Sequence, residues 1–269
     1  MSVWLITGAS RGLGLEIARA ALERGDQVAA TARDPHSIPL PDGENLTKVA
    51  LDVTDPAQVE RAVAAVGRVD VLVNNAGYGI FGAVEEVSDA EVRAVFDTNV
   101  FGLLAVTRAV LPGMRERRSG RVINIGSIGG FITQAGSGIY AATKFALEGI
   151  TEAMRGDLEP LGVAVTIVEP GAFRTDFLDP SSLRHAELVI DDYAGTAGER
   201  RRMSKEANGF QAGDPAKAAA AIVDLAHTPH PPTRLQLGQD AVARVRAKLD
   251  HVARELDVWE HVSTATDHD

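Results

Sequence analysis

A chain of 269 residues, 45% hydrophobic and 24% charged, has the length and composition of one large globular α/β domain or two small ones. Its 37 acidic against 27 basic residues, a formal charge of −10, disfavour nucleic acid and anionic membrane as partners, so an anionic ligand must meet a local group of cations. The absence of cysteine excludes disulfides, thiolate metal sites and thiol nucleophiles; with a short apolar opening, MSVWLITGAS, that lacks a basic start, and no apparent membrane span, a cytoplasmic location is expected.

In chain order, short β-branched runs alternate with amphipathic stretches. VWLIT (3–7) predicts a first strand and Leu13, Ile17, Ala21 and Leu22 one face of a helix, followed by strands in QVAATA (27–32) and LTKVALDV (46–53). Further strands are expected in VDVLVNN (69–75), RVINIGS (121–127), VAVTIVEP (163–170) and TRLQLG (233–238). Apolar strands alternating with helices predict a single doubly wound, Rossmann-type α/β domain over 1–262: a parallel sheet of about seven strands, helices on both faces and a C-terminal helix.

Two segments break this rhythm. Residues 172–212, rich in mixed charge with scattered Phe, Leu and Tyr, form a connection too long for an ordinary loop and are expected to make a mobile substrate lid. From about Asp240 a helix carries Val242, Val245, Leu249, Val252, Leu256 and Trp259 at alternating spacings of three and four, a short seam expected to pack on its own domain. Residues 263–269 read as a disordered tail.

Chemistry gathers at four places. TGASRGLG (7–14) lies between a strand and a helix, where glycines let the backbone approach a pyrophosphate and the helix N-terminus offers free N–H groups. Three residues separate Gly8 from Gly12, unlike the G-x-G-x-x-G fingerprint. In GIYAATKFALEGI (138–150), Tyr140 and Lys144 share a helix face, and a cation there favours the phenolate; the pair also fits a core-edge ring beside a solvated charge. Ser127 ends a strand. His227 and His230 sit in a proline-rich turn with no clustered carboxylate, so no metal site is expected, and Arg115 to Arg121 read as a solvated helix end.

Taken together, these motifs resemble the short-chain dehydrogenase/reductase family: Thr-Gly-x-x-x-Gly-x-Gly at 7–14, NNAG at 74–77, Asn99 in DTNVFG, Ser127 in NIGSIGG, Tyr-x-x-x-Lys at 140 and 144, and PGAFRT at 170–175. The resemblance implies hydride transfer between a nicotinamide and a carbonyl carbon. Tyr140 would exchange the proton, Lys144 would tune Tyr140 and hold the nicotinamide ribose, Ser127 would fix the substrate oxygen, and Asn99 would hold a water linking Lys144 to solvent. Lowering the tyrosine pKa by about three units requires roughly 4 kcal/mol of phenolate stabilisation. Cofactor contacts carried over are Gly8, Ser10, Arg11, Gly12, Leu13 and Gly14, then Arg33, Asp52 on the adenine with Val53, Asn75, Ala76 and Gly77, Tyr140 and Lys144, and Pro170, Gly171, Phe173 and Thr175.

The second strand ends at Ala32-Arg33 where NAD-binding relatives carry an acid for the ribose hydroxyls; Arg33, with Arg11 below it, resembles the NADP-preferring branch. NADP is therefore expected over NAD, with Asp34 as ribose ligand if the strand ends one residue later. The substrate is expected to be a lipophilic ketone, aldehyde or secondary alcohol lined by Ile80, Phe81, Phe131, Phe173, Phe177, Leu178 and Tyr193. Alternatives are a cofactor-binding regulatory protein without turnover, or a nucleotide-sugar epimerase or dehydratase, whose usual C-terminal substrate domain is missing. A homodimer or homotetramer is expected through the helices of Asn99 and Tyr140, where Ala141, Ala142 and Ala146 permit close approach.

Overall fold

The computed structural model describes residues 1–268. The strands are β1 (Val3–Ile6), β2 (Gln27–Ala32), β3 (Leu46–Ala50), β4 (Val71–Asn74), β5 (Gly79–Phe81), β6 (Gly120–Ile125), β7 (Val163–Pro170), β8 (Leu183–His185) and β9 (Arg234–Leu237). Seven of these form one parallel sheet in the order β3-β2-β1-β4-β6-β7-β9, and they are the seven read from sequence. β5 and β8 pair with each other outside it; at three residues each they are too short to show a period.

The helices are α1 (Gly12–Glu23), α2 (Pro56–Val66), α3 (Asp89–Phe96), α4 (Leu103–Arg117), α5 (Gly138–Leu158), α6 (Glu199–Ala207), α7 (Pro215–Ala226) and α8 (Gln239–Thr264). Local chemistry sets several starts. Asp55 and Asp214 each accept from the first-turn N–H groups of α2 and α7, with proline at the first helical position, and Ser88 with Glu91 closes a reciprocal cap on α3. Alternation along the strands sends side chains to opposite faces. Trp4 and Ile6 pack with Ile17, Ala18 and Ala21 of α1 and Ile222 of α7, whereas Leu5 packs with Val59 of α2 and Val106, Val110 and Met114 of α4. Burying each such large aliphatic side chain contributes roughly 1.5–3 kcal/mol.

The helical stretch Asp89–Arg117 is long and apolar enough to cross a membrane by length and composition, contrary to the sequence reading. Its Val95, Val106, Val110 and Met114 are buried in the domain, so its apolarity serves the core. The basic run at its end is also less solvated than expected: Arg117 donates to Val69 O at 2.6 Å and Arg121 to the carbonyls of Ala226 and Thr228.

Residues 172–212 are built of defined elements, including β8 and α6, and β8 pairs with β5. Arg201 of α6 donates to both oxygens of Glu86, at 2.6 and 3.1 Å, and this carboxylate, with no exposure, also accepts from Ile190 N at 3.0 Å and Ala83 N at 2.8 Å. A buried ion pair and a strand pairing thus tie the segment expected as a mobile lid to the domain, where it forms a wall.

Helix α8 also differs from expectation. Ala241 and Val245 pack beside Ile128, but Leu249, Val252, Leu256 and Trp259 are 45–62% exposed, so the seam leaves the domain after two turns instead of packing on it. Helix continues to Thr264, past the point where a disordered tail was expected; Asp269 lies outside the described residues.

Chain order reverses at β1, whose neighbours are β2 and β4, and loops leaving the carboxyl ends of these strands part to form a crevice. Behind it, Asn74 Nδ2 donates to Thr107 Oγ1 at 2.9 Å and Asn124 Oδ1 at 3.0 Å, and Asn124 Nδ2 donates to Thr151 Oγ1 at 2.9 Å. This buried chain ties β4 and β6 to α4 and α5.

Candidate active site

Loops following β1, β2, β3, β4, β6 and β7 meet in a cleft of about 770 Å³. In the first loop the backbone geometry is demanding. Gly8 has φ +67°, and a Cβ on Gly14 would stand 2.3 Å from Asn75 Nδ2 and 2.6 Å from Gly8 O, so side chains are excluded at both. Asn75 Nδ2 donates to Thr7 O at 2.9 Å and Gly8 O at 3.0 Å, while Thr7 Oγ1 accepts from the N–H groups of Asn75 and Ala76 at 2.9 and 3.0 Å. Thr7 and Asn75 thus rivet the loop. Thr7 was not singled out from sequence as a site residue, although it opens the glycine motif.

Helix α1 begins at this loop with no side-chain cap and no acid in its first turn. Its unsatisfied N–H groups and partial positive charge face the cleft beside Gly8, Ser10, Gly12 and Leu13, a cradle that fits a dinucleotide pyrophosphate. Arg11 also borders the cleft, but its Nη2 donates to Ser181 O at 2.7 Å, so it braces the wall as well as adding charge.

At the end of β2 the side chains of Arg33 and Asp34 go different ways. Arg33 is exposed on the cleft and makes no ion pair or hydrogen bond among the described residues. Asp34 caps the turn Pro35–Ser37, accepting from His36 N at 3.0 Å, and does not line the cleft. Asp52 accepts from Thr54 N at 2.9 Å and Thr54 Oγ1 at 2.7 Å and lines the cleft with Val53, Ala76 and Gly77, while Asp55 caps α2.

Ser127, Tyr140 and Lys144 converge at the middle. Ser127 Oγ accepts from Gly129 N at 2.9 Å and lines the cleft together with Tyr140. Tyr140, in the first turn of α5, rests on Phe177 with ring centroids 5.5 Å apart. One turn on, Lys144 Nζ donates to Ile125 O at 2.8 Å and lies 5.9 Å from the Tyr140 ring centroid. Burial pushes the phenol up to about 12, against an opposing influence of the Ser127 hydroxyl, and pushes the ammonium down to about 8. The direction is opposite to the lowering by lysine that was expected, because desolvation is the largest effect on the phenol.

Asn99 is buried. It sits in a π-helical stretch, Asp97–Gly102, where its Oδ1 accepts from Tyr78 N at 3.0 Å and its Nδ2 donates to Tyr78 O at 2.9 Å and Thr143 Oγ1 at 3.1 Å. Its side chain is taken up in bracing Tyr78 and α5, and it does not line the cleft. Pro170, Gly171, Phe173 and Thr175 do line it, and Ala172 N donates to Asp240 Oδ2 at 2.9 Å, which docks the start of α8 on this loop.

Beyond Tyr140, Phe81, Phe173, Phe177 and Leu178 form apolar wall as expected. Ile80, Phe131 and Tyr193 do not line the cleft: Ile80 is core, Phe131 packs beside Ile128, and Tyr193 donates to Glu85 Oε2 at 2.7 Å. Gln134, Arg200, Met203 and Gln211 also line it. No motif marks the last three, which reach the site only because β8 and α6 fold back over it.

Residues 2–185 match the profile of the short chain dehydrogenase family. The chain belongs to that family. This short-chain dehydrogenase is 39% identical over 243 residues to a 3-ketodihydrosphingosine reductase of Bacteroides thetaiotaomicron, covering 87% of each chain. It superposes on the crystal structure of a short-chain dehydrogenase from Streptomyces avermitilis with a TM-score of 0.91 and 44% identity, covering 99% of this chain and 100% of that one. Serine dehydrogenase in complex with NADP+ is 31% identical, with a TM-score of 0.74 over 87% of this chain and 94% of that one. The chain is accordingly an oxidoreductase of a family that binds nicotinamide cofactors.

Proposed function

We propose that this short-chain dehydrogenase is an NADP-dependent reductase of ketones or aldehydes. The observation that carries the reading is the convergence of Ser127, Tyr140 and Lys144 on one cleft with a dinucleotide-sized cradle at its other end. Bound there, the nicotinamide supplies hydride. Ser127 orients the substrate oxygen; Tyr140 passes its hydroxyl proton to that oxygen; Lys144, held by Ile125 O, faces the same groups with its charge. Asn99 serves as a positioning residue, clamping Tyr78 to α5.

Arg33 supports NADP, since a free guanidinium at the cleft suits a 2′-phosphate and Asp34 is engaged as a cap. The NADP+ complex of serine dehydrogenase agrees with this, and the ketone named for the Bacteroides relative agrees with carbonyl reduction. Phe101 and Phe145, 58% and 46% exposed on the Asn99 stretch and α5, support pairing of these helices with a second copy.

The test is consumption of NADPH, followed by absorbance, with steroid, retinoid, aliphatic and quinone carbonyls. Turnover by the wild type, and its near-complete loss in Tyr140→Phe with cofactor binding retained, is expected. Tight NADPH binding with no turnover on any carbonyl would instead indicate a regulatory cofactor sensor.

A further inference from the structure

Arg200 enters the cleft from α6 with its Cζ 4.4 Å over the centroid of the Phe81 ring. The Gln134 amide oxygen, in the orientation its surroundings require, accepts from Arg200 Nε at 3.0 Å and Nη1 at 2.7 Å. Both anchors are neutral. The next residue, Arg201, has the buried Glu86 as its partner, and the half-buried Arg234 has Glu148 and Glu152, but Arg200 has no carboxylate within 4.0 Å among the described residues. Asp97, Asp176 and Asp240 border the same cleft and none reaches it.

A second cation faces the first. Arg244 of α8 also lines the cleft without an ion pair among the described residues, and burial together with the charge of Arg244 lowers the pKa of Arg200. Arg200 is half-buried and Arg244 exposed, so the repulsion between them falls on the partly desolvated Arg200 and is relieved when an anion enters between them. Gln211 adds an independent sign. It lines the cleft at 7% exposure, yet neither its Nε2 nor its Oε1 has a hydrogen-bond partner among the described residues. Buried amides are normally satisfied, so a polar group belongs against this one.

We infer that the substrate carries, away from its carbonyl, an oxyanion group, carboxylate or phosphate, held by Arg200 with Arg244 and the Gln211 amide. The inference rests on the carbonyl-reductase reading above and narrows its lipophilic substrate class: the apolar part lies along Phe177, Leu178 and Met203, and the charged end meets the arginines. Guanidinium groups suit this role because their planar donor forks match both oxyanions.

Matched substrates test it: medium-chain keto acids, their methyl esters, and keto-alkyl phosphates of equal length, each reduced with NADPH. The wild type is expected to favour the acid or the phosphate over the ester by roughly tenfold or more in kcat/KM. Arg200→Met should lower the charged substrate roughly tenfold more than the ester, Arg200→Lys should restore part of that preference, and Arg244→Met should give a smaller loss. The better of acid and phosphate identifies the oxyanion. Equal use of acid, phosphate and ester by the wild type, or an equal fall for all three in Arg200→Met, overturns the proposal. Should no carbonyl be reduced, calorimetry on the NADP+-loaded protein reads the anion site separately: octanoate or octyl phosphate should bind more tightly than octanol, and Arg200→Met should abolish the difference. Equal binding of the three in the wild type overturns the anion site whatever the reaction proves to be.

Discussion

Tyr140 and Lys144 are driven apart by burial, the phenol up to about 12 and the ammonium down to about 8. A proton donor with so high a pKa holds its proton at neutral pH, which suits reduction, but becomes a good donor only once positive charge stabilises the phenolate left behind. Lys144 supplies that charge below pH about 8 and loses it above, because its folded pKa is depressed. The alkaline limb of kcat/KM for the cofactor, which reports groups of the free enzyme, is therefore expected near pH 8, and Lys144→Met should abolish that limb along with most of the rate. A limb that persists unchanged in the variant would assign it to another group. At the far end of the cleft, Arg33→Asp replaces attraction for a 2′-phosphate by repulsion and offers the ribose hydroxyls of NAD an acceptor. A lost charge-assisted contact of about 2 kcal/mol corresponds to roughly a thirtyfold fall in the NADP-to-NAD ratio of kcat/KM. Arg11, engaged with Ser181 O, should retain part of the preference. Comparison of both cofactors at one ionic strength decides it, and a wild type that already prefers NAD removes the phosphate role of Arg33.

Among the elements, the wall made by residues 172–212 depends on one buried pair. Glu86 is held down to about 2 from 4.5, first by the hydrogen bonds from Arg201 and then by the backbone N–H groups of Ile190 and Ala83, against the opposing cost of burial. A depressed carboxylate contributes stability that is present above its unfolded pKa and lost as pH falls through the folded one, so this anchor weakens between pH 4.5 and about 2. Glu86→Gln leaves Arg201 without its charge partner, and a loss of about 3 kcal/mol at neutral pH is expected. Urea unfolding at pH 7 and again near pH 2 should show the gap between variant and wild type narrowing in acid. A constant gap would mean that Glu86 acts through packing alone. Since α6 carries both Arg201 and Arg200, the same variant should also raise KM for the substrate by loosening the wall that presents Arg200.

For the whole molecule, the projecting part of α8 sets a sharp expectation. Beyond Asp250 its described residues are all exposed, so removal of residues 251–269 takes no core contact with it. The melting temperature should stay within roughly 2 °C of the full chain, as for changes confined to surface. A much larger fall, with a drop in mass by light scattering, would show that Leu249 to Trp259 are covered by another copy in solution. The helices of Asn99 and Tyr140 offer a separate face, where Phe145→Glu should dissociate the proposed oligomer at micromolar concentration without unfolding the protomer.

Residues 7–14, 74–77, 127, 140, 144 and 170–175 were legible in sequence because backbone approach, helix spacing and strand ends are local matters, fixed within a few residues. The seven strands of the sheet were legible for the same reason, since each carries β-branched or apolar residues in a short run, largely buried in β1 and β4 and only partly buried in the edge strands β3 and β9. Tertiary structure alone decided that the α8 seam leaves its own domain after Val245. It also decided that Asn99 braces Tyr78, and that Arg200 and Gln211 line the same cleft as Arg244 of the C-terminal helix. These depend on which surfaces long connections bring together and on how much water remains between them. That desolvation, absent from any local pattern, is what moved Tyr140 and Lys144 in opposite directions.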